Sequence, residues 1–456
     1  MDSESPSVST IAKRGSWSKR AMKSRILLLL VVGLALVVRI AVLGTHTPDK
    51  TPWSDGAQYV NLGMSLADGK GYVLDQGNLW PGQPTIIRAP GWPVVLSLLF
   101  HVVPVEWRWP AAMGLAVALD GINVLLLYLL ARGIGGGRWT ALAAACLYAL
   151  SPVMAAMCLT PASEVLGISM ILLFLNYLVR INIGGWKLPL AGLILGVAAL
   201  VRPNFVLIGF ALVPGLLWLG RRTPVRSLCL SGLFLLAVMT PLTPWLIRNA
   251  MIFGHFPILG AGGGETLYGG NNDLAALPGG KYEGYLVLPG DLPNETSLMT
   301  LAATMNEYQV DRYLWQHGKD WIKSNPGKMP RLILMKLRRA YIPIPRSGGG
   351  AVLVASFYRA SVDVLAIIGV GYILRKRLQV PALVWVGFMA VFAAHLAVVA
   401  VFCGLNRFAL PSEILLALPA GYVVDVWISH RPGGVRGSPP ELFAVNNSTC
   451  YTRSSH

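Results

Sequence analysis

Long apolar runs with little or no charge recur along the whole chain. The first, Ile26–Leu43, follows a segment carrying Lys13, Arg14, Lys19, Arg20, Lys23 and Arg25. Others cover Ala111–Ala131, Thr140–Leu159, Val165–Val179, Leu188–Val201, Phe205–Leu219, Leu228–Ile247, Ala351–Leu374, Pro381–Val401 and Phe408–Ile428. Continuous runs predict membrane-spanning α-helices, which satisfy every backbone polar group internally; a β-barrel would read as short alternating stretches. The first run is too long for a signal-peptide core, and Thr45–Pro52 has no small-residue cleavage pattern. The expected class is an all-α polytopic membrane protein.

Trp92–Val103 is apolar but short. At ~1.5 Å per residue it covers less than about 20 Å, short of a hydrocarbon core of about 30 Å. Counted as a span, it would put the basic loops Arg132–Arg138, Arg221–Arg226 and Arg375–Arg377 outside. Counted as interfacial or re-entrant, it leaves all three inside with Arg431 and Arg436, as the positive-inside bias requires. The reading is about ten transmembrane helices with both termini cytoplasmic. Thr45–Arg88, Thr160–Glu164, Arg202–Pro203, Arg248–Gly350 and Asn406–Arg407 then share the outer side.

This parity divides the chain. Residues 1–25 are a basic cytoplasmic N-terminus, and 26–247 a transmembrane core with a first outer loop over 45–90. Residues 248–350 form a second large outer loop, 351–428 the last transmembrane helices, and 429–456 a polar cytoplasmic tail without periodicity. Within the second loop, Leu298–Ser324 has helical spacing, Asn325-Pro326-Gly327 breaks it, and Lys328–Tyr341 mixes leucines with cations as an interfacial helix does. Leu188–Val201 is also short, so Arg202 at its end is recessed, where a charge normally faces a cavity or a partner.

Composition adds little against this. The formal charge of +17 follows from cationic inner loops, and no basic–aromatic interleave points to nucleic acid. The five cysteines form no CxxC or His/Cys metal spacing, so no cofactor is required and a divalent metal has no support from the ligand pattern.

A set of short motifs falls on the outer side in a fixed order. Ser54-Asp55-Gly56-Ala57-Gln58-Tyr59 follows the first helix, then Leu66-Ala67-Asp68-Gly69-Lys70-Gly71-Tyr72 and Arg88-Ala89-Pro90-Gly91-Trp92-Pro93. Ser163-Glu164, Leu200-Val201-Arg202-Pro203 and Pro244-Trp245-Leu246-Ile247-Arg248-Asn249 come next. Tyr268-Gly269-Gly270-Asn271-Asn272 and Asn406-Arg407-Phe408-Ala409-Leu410-Pro411 complete it. This order resembles the GT-C glycosyltransferases of the protein-O-mannosyltransferase and aminoarabinose-transferase type, the family 39-like bacterial enzymes, over about residues 25 to 428. The resemblance implies a GT-C fold in the cell inner membrane, a polyprenyl-phosphate sugar donor, inversion at the anomeric carbon, and Asp55 in the catalytic position. Many relatives carry two adjacent acids there, and here the second is Gly56. The Trp-Trp-Asp motif of oligosaccharyltransferases is absent, which disfavours peptide N-glycosylation.

Such a transfer needs a base for the acceptor hydroxyl and cations for the departing lipid phosphate. Asp55 is the candidate base, although an aspartate ahead of Gln58–Leu66 can also serve as a helix cap. Glu164 is a second carboxylate or a helix N-terminal charge. Arg88, Arg202, Arg248 and Arg407 are candidates for the donor phosphate, by the bidentate geometry of guanidinium, or anchors at helix ends. Glu413 is an alternative partner for Arg407. Tyr59, Tyr268, Asn271 and Asn272 could bond sugar or acceptor hydroxyls, or simply shape turns. The acceptor is a glycolipid, a polysaccharide or a protein. Asp120, Asp363 and His395 lie within predicted spans, and keep open a lipid-linked-sugar flippase or other secondary transporter.

Overall fold

The computed structural model describes residues 8–45, 50–181, 187–256, 259–292, 297–342, 350–376 and 380–429. Residues 1–7 of the basic N-terminus and 430–456 of the expected tail therefore lie outside the described residues, as does Asp49. The chain opens with the long helix α1 (Val8–Thr45) and the short helices α2 (Asp55–Ala67) and α3 (Gly91–Phe100). A run of apolar helices follows: α4 (Arg108–Gly133), α5 (Arg138–Ala149), α6 (Pro152–Met157), α7 (Glu164–Leu178), α8 (Lys187–Val201), α9 (Val206–Leu219), α10 (Pro224–Met239) and α11 (Thr243–Phe253). Next come α12 (Gly263–Gly270), α13 (Leu298–Ala302), α14 (Glu307–Ser324) and α15 (Met329–Tyr341). The last helices are α16 (Gly350–Lys376), α17 (Ala382–Val401), α18 (Asn406–Glu413) and α19 (Ala417–Ser429). Among the described residues there is no strand, only an isolated bridge between Val73 and Pro84.

Among the described residues, six stretches are long and apolar enough to cross a membrane: Met22–Thr45, Val105–Gly133, Pro224–Phe253, Gly350–Arg375, Ala382–Val401 and Asn406–Ser429. α3 has 10 residues, so at ~1.5 Å each it reaches about 15 Å and stops well inside a bilayer thickness. α7, α8 and α9 are also short, with 15, 15 and 14 residues.

Four expected helices are interrupted, one of them Leu228–Ile247, where the 3₁₀ turn Thr240–Leu242 joins α10 to α11. Thr140–Leu159 is not one helix: α5 ends at Ala149, and Ser151 starts α6 by accepting the Met154 N–H ahead of Pro152. Proline cannot donate back into the preceding turn, so the helix restarts at it. Leu298–Ser324 splits at Asn306, whose side chain exchanges hydrogen bonds with Gln309 in a capping box (2.9 and 3.0 Å). Phe408–Ile428 divides into α18 and α19, joined by a 3₁₀ turn after Pro411.

One apolar core joins α1, α4, α5, α7, α8, α9, α10 and α17, with Leu127, Phe174, Leu195, Phe205 and Phe234 wholly buried. α8 meets α10 almost backbone to backbone: a Cβ on Gly192 would sit 2.5 Å from the Phe234 carbonyl, and one on Gly196 2.3 Å from that of Val238. Small residues at such a seam let dispersion contacts form at short range.

The charges inside this core are answered. Asp120 pairs with Arg39 of α1 (Nε to Oδ2, 2.6 Å), and both side chains are at most 1% exposed. The Tyr148 hydroxyl donates to the other carboxylate oxygen. Arg39 also donates to the carbonyls of Ala149 and Tyr148, the C-terminal acceptors left open where α5 stops. His395 is buried beside Phe205, its Nδ1 2.7 Å from the Val391 carbonyl. Asp363 lines a groove with Tyr358, Arg359 and Glu413. Over one end of the bundle, α2, α3, the 71–90 loop and α11–α15 build a cap. There Leu62, Tyr72, Leu74, Ile86 and Trp245 form a second core.

Candidate active site

α2 begins because Ser54 turns its hydroxyl onto the Ala57 N–H (3.3 Å), so Ser54 is the cap and Asp55 stands in the first helical turn. The Asp55 carboxylate is thereby turned toward Arg88 and Arg407. One of its oxygens accepts from Arg88 and the other from Arg407. Arg88 reaches it from the end of the 71–90 loop. It also donates through Nε to Gln58 (2.7 Å) and lies over the Tyr59 ring at 5.6 Å. Gln58 and Tyr59 are three and four residues beyond Asp55, so they share its helix face. Gln58 in turn donates to the Gly77 carbonyl (2.6 Å), anchoring the loop that carries Arg88.

The second half of the cluster lies one step away. The Tyr59 hydroxyl donates to Ser163 Oγ at 3.1 Å. Arg202 reaches the same hydroxyl at 3.3 Å and pairs with Glu164 at 2.8 Å. Glu164 and Arg202 are 7% and 11% exposed, against 24% for Asp55 and 35% for Arg407, so only the Asp55 side opens to solvent. Gly167 makes room for Arg202, since a Cβ there would lie 2.8 Å from its Cδ. The cluster therefore joins Asp55, Tyr59, Arg88, Glu164, Arg202 and Arg407 from five separate parts of the chain. Three guanidiniums face two carboxylates, for a net charge of +1. Burial raises the Asp55 carboxyl, but Arg88 and Arg407 outweigh it and hold the group below its ordinary value of 3.8.

Arg407 owes its place to the junction after α17. A Cβ on Gly270 would lie 1.7 Å from the Phe402 carbonyl, so the cap sits directly on this turn. Gly404 N–H donates to the Gly284 carbonyl (2.9 Å). Lys336, wholly buried, donates to Asn271 Oδ1 (2.7 Å) and to the carbonyls of Ala400 (3.3 Å) and Val401 (3.2 Å) at the end of α17. Glu413, the alternative partner considered for Arg407, pairs instead with Arg359.

The other candidates stand in the cap. Arg248 donates to the carbonyl of Thr85 (2.9 Å) and, more weakly, of Tyr72 (3.4 Å), and stacks on Trp245. It thus braces the loop leading to Arg88. Tyr268 is buried with Val310 and Leu314. Asn271 and Asn272 are buried and bond backbone carbonyls, Asn272 closing the turn onto Ala275 N–H (2.9 Å). Pattern reading missed Gln58 and Ser163, although the spacing of Gln58 from Asp55 was available to find it. It also passed over Glu265, at the start of α12. Burial raises the Glu265 carboxyl; Arg88 opposes the rise and Asp55 adds to it. Among the described residues no three His, Cys, Asp or Glu side chains gather as a metal site would require.

Residues 88–247, which hold Arg88, Glu164 and Arg202, match the family described as dolichyl-phosphate-mannose-protein mannosyltransferase. The fold matches solved structures of the Archaeoglobus fulgidus oligosaccharyltransferase. The form tethered to an acceptor peptide aligns at a TM-score of 0.51 and 11% identity, over 93% of this chain and 52% of that chain. The chain has the GT-C fold. A second structure, AglB from that organism with an inhibitory peptide and a dolichol-phosphate, aligns at 0.50 and 10% identity, over 89% of this chain and 50% of that chain. The chain thus spans about half the length of the oligosaccharyltransferase it matches. ArnT from Cupriavidus metallidurans bound to undecaprenyl phosphate overlaps more loosely, at a TM-score of 0.37 and 15% identity over 87% of this chain and 77% of that chain. None of the curated proteins matches the chain.

Proposed function

We propose that this chain is a membrane glycosyltransferase. It moves a sugar from a polyprenyl-phosphate donor to a hydroxyl of a glycolipid, polysaccharide or protein on the outer face of the cell inner membrane. The observation that carries this reading is Asp55, held between Arg88 and Arg407 and partly exposed, with the more buried Arg202–Glu164 pair beside it. A polyprenyl-phosphate sugar carries one negative charge, which the cluster's net +1 matches.

In the reaction the acceptor oxygen bonds to the anomeric carbon as the bond from that carbon to the phosphate oxygen breaks. The acceptor proton passes to Asp55, and polyprenyl phosphate leaves with the electron pair. Attack opposite the leaving phosphate inverts the centre. Two guanidiniums lower the proton affinity of Asp55, so a donor phosphate that draws one of them away makes the carboxylate a stronger base. Binding the donor thus both neutralises the arginines and frees the base. Arg88 and Arg407 then meet the charge that develops on the leaving phosphate, while Glu164 holds Arg202 in place. The matched AglB structure with bound dolichol-phosphate belongs to the same class of lipid phosphate. The cationic loops between the apolar runs support an orientation with this cluster on the outer side.

The test is reconstitution of the full chain in liposomes with radiolabelled polyprenyl-phosphate hexose or pentose and a hydroxyl acceptor pool. Label recovered in the acceptor supports transfer. Label that crosses the bilayer still attached to its lipid would make the protein a flippase. Arg39 and Asp120 answer each other within the bundle, so that pair is accounted for by packing and gives transport no separate support.

A further inference from the structure

Glu307 is a buried carboxylate outside the cluster. It stands in the first turn of α14 and is 6% exposed. Its two oxygens are spent on one short piece of the first loop: Oε1 accepts from the Thr85 hydroxyl (3.0 Å) and Oε2 from the Ile86 N–H (3.1 Å). Thr85 and Ile86 are wholly buried. The Thr85 hydroxyl also accepts from Ile87 N–H (3.1 Å), so the carboxylate orders three consecutive residues. Arg88 is the next residue, and it pairs with Asp55. The same piece is held at its other polar groups. Ala261 N–H donates to the Ile86 carbonyl (2.9 Å), Arg248 to that of Thr85 (2.9 Å), and the Tyr72 hydroxyl to that of Arg88 (2.9 Å). Glu307 is the only acid in this ring of contacts. It acts from the second large loop on an arginine delivered by the first.

We propose that Glu307 is a positioning residue for Arg88, fixing the Thr85–Ile87 backbone so that the guanidinium meets Asp55 and the donor phosphate at one angle. This rests on the transferase reading for the word donor, but the mechanical hold does not. Asp311 one turn along α14, Arg248 of α11 and the Tyr72 hydroxyl of the first loop face Glu307. Burial pushes the Glu307 carboxyl up to about 7, against the pull of Ile86 N–H and the Thr85 hydroxyl. Above that pH it accepts both bonds. Below it the acid has one acceptor oxygen left and Thr85 loses the acceptor for its hydroxyl proton, so the hold on Arg88 slackens.

The experiment uses the full chain in nanodiscs, with polyprenyl-phosphoryl mannose as the probe, a diester whose charge is constant through neutral pH. Binding is measured for wild type, Glu307→Gln, Glu307→Ala, Arg88→Ala and the double variant Glu307→Ala/Arg88→Ala. Losing two hydrogen bonds to a charged group should weaken binding about tenfold or more in Glu307→Ala. The double variant should bind no worse than Arg88→Ala alone, because Glu307 acts through Arg88. Wild-type affinity should fall as pH drops through about 7, and Glu307→Gln, which copies the protonated shape, should show no such step. Additive losses, or a step retained in Glu307→Gln, would overturn the proposal. Amide exchange at Ile86 and Ile87 gives a reading without any donor. It should accelerate in Glu307→Ala and stay slow in Arg88→Ala, and unchanged exchange in Glu307→Ala would sink the proposal by itself. Faster exchange with no probe binding by wild type would remove the transferase reading and leave the hold standing.

Discussion

Asp55→Asn separates a base from a phosphate ligand. The change keeps the side-chain shape and removes one negative charge, taking the cluster from +1 to +2. Arg88 and Arg407 then lose the carboxylate that holds them and turn to the donor phosphate. Each hydrogen bond to a charged group is worth about 1.5–3 kcal/mol, and about 1.4 kcal/mol is tenfold in affinity. Donor affinity should therefore hold or improve by about tenfold. Transfer should collapse at the same time, because a positioned base contributes about 10²–10⁴ in rate, or about 2.7–5.5 kcal/mol of barrier. The assay is steady-state transfer from a labelled polyprenyl-phosphate sugar, with donor KM and kcat resolved separately for wild type and variant. Arg407→Ala is the opposite case, raising donor KM more than it lowers kcat. If Asp55→Asn keeps kcat within tenfold of wild type, or loses donor binding in step with kcat, Asp55 is not the base.

Glu164→Gln leaves Arg202 charged and unpaired at 11% exposure, and should cost about 3–5 kcal/mol in thermal unfolding in detergent. Asp120→Leu should cost about as much by stranding Arg39, and Arg39→Met/Asp120→Leu should recover most of the loss, because replacing both members of a buried pair with apolar side chains is roughly neutral; equal instability of single and double variants would refute the pairing account. Lys336→Met should destabilise by about 1–3 kcal/mol, by leaving Asn271 Oδ1 and the Ala400 carbonyl without the buried donor that Lys336 supplies. The same variant should raise donor KM, because the turn it releases carries Arg407.

The sequence by itself determined the class. Continuous apolar runs admit only helices in a bilayer, and the short Trp92–Val103 run forms the short helix α3. Motif order was enough to point to the GT-C fold, and it contained all six residues that meet in the cluster. Breaks in helices were legible where capping chemistry is local, as at Ser151-Pro152 and Asn306, but long apolar composition masked them. Partner choice was not legible. Arg407 could have met Glu413 six residues away or Asp55 at the far end of the chain, and only the reversal after α17 decides for Asp55. Arg39 was hidden in an apolar run, because its partner lies on another helix and its other acceptors exist only where α5 stops. Arg248, Tyr268, Asn271 and Asn272 belong to the same ordered set of motifs as the cluster residues, yet tertiary packing places them in the cap. Hydrophobic pattern is a property of each segment, and can be read along the chain. The meeting of Asp55 with Arg88 and Arg407 depends on how three segments are held together; of the residues that hold them, Gln58 is marked by its spacing from Asp55, while Glu307 and Lys336 carry no mark of that role in the sequence.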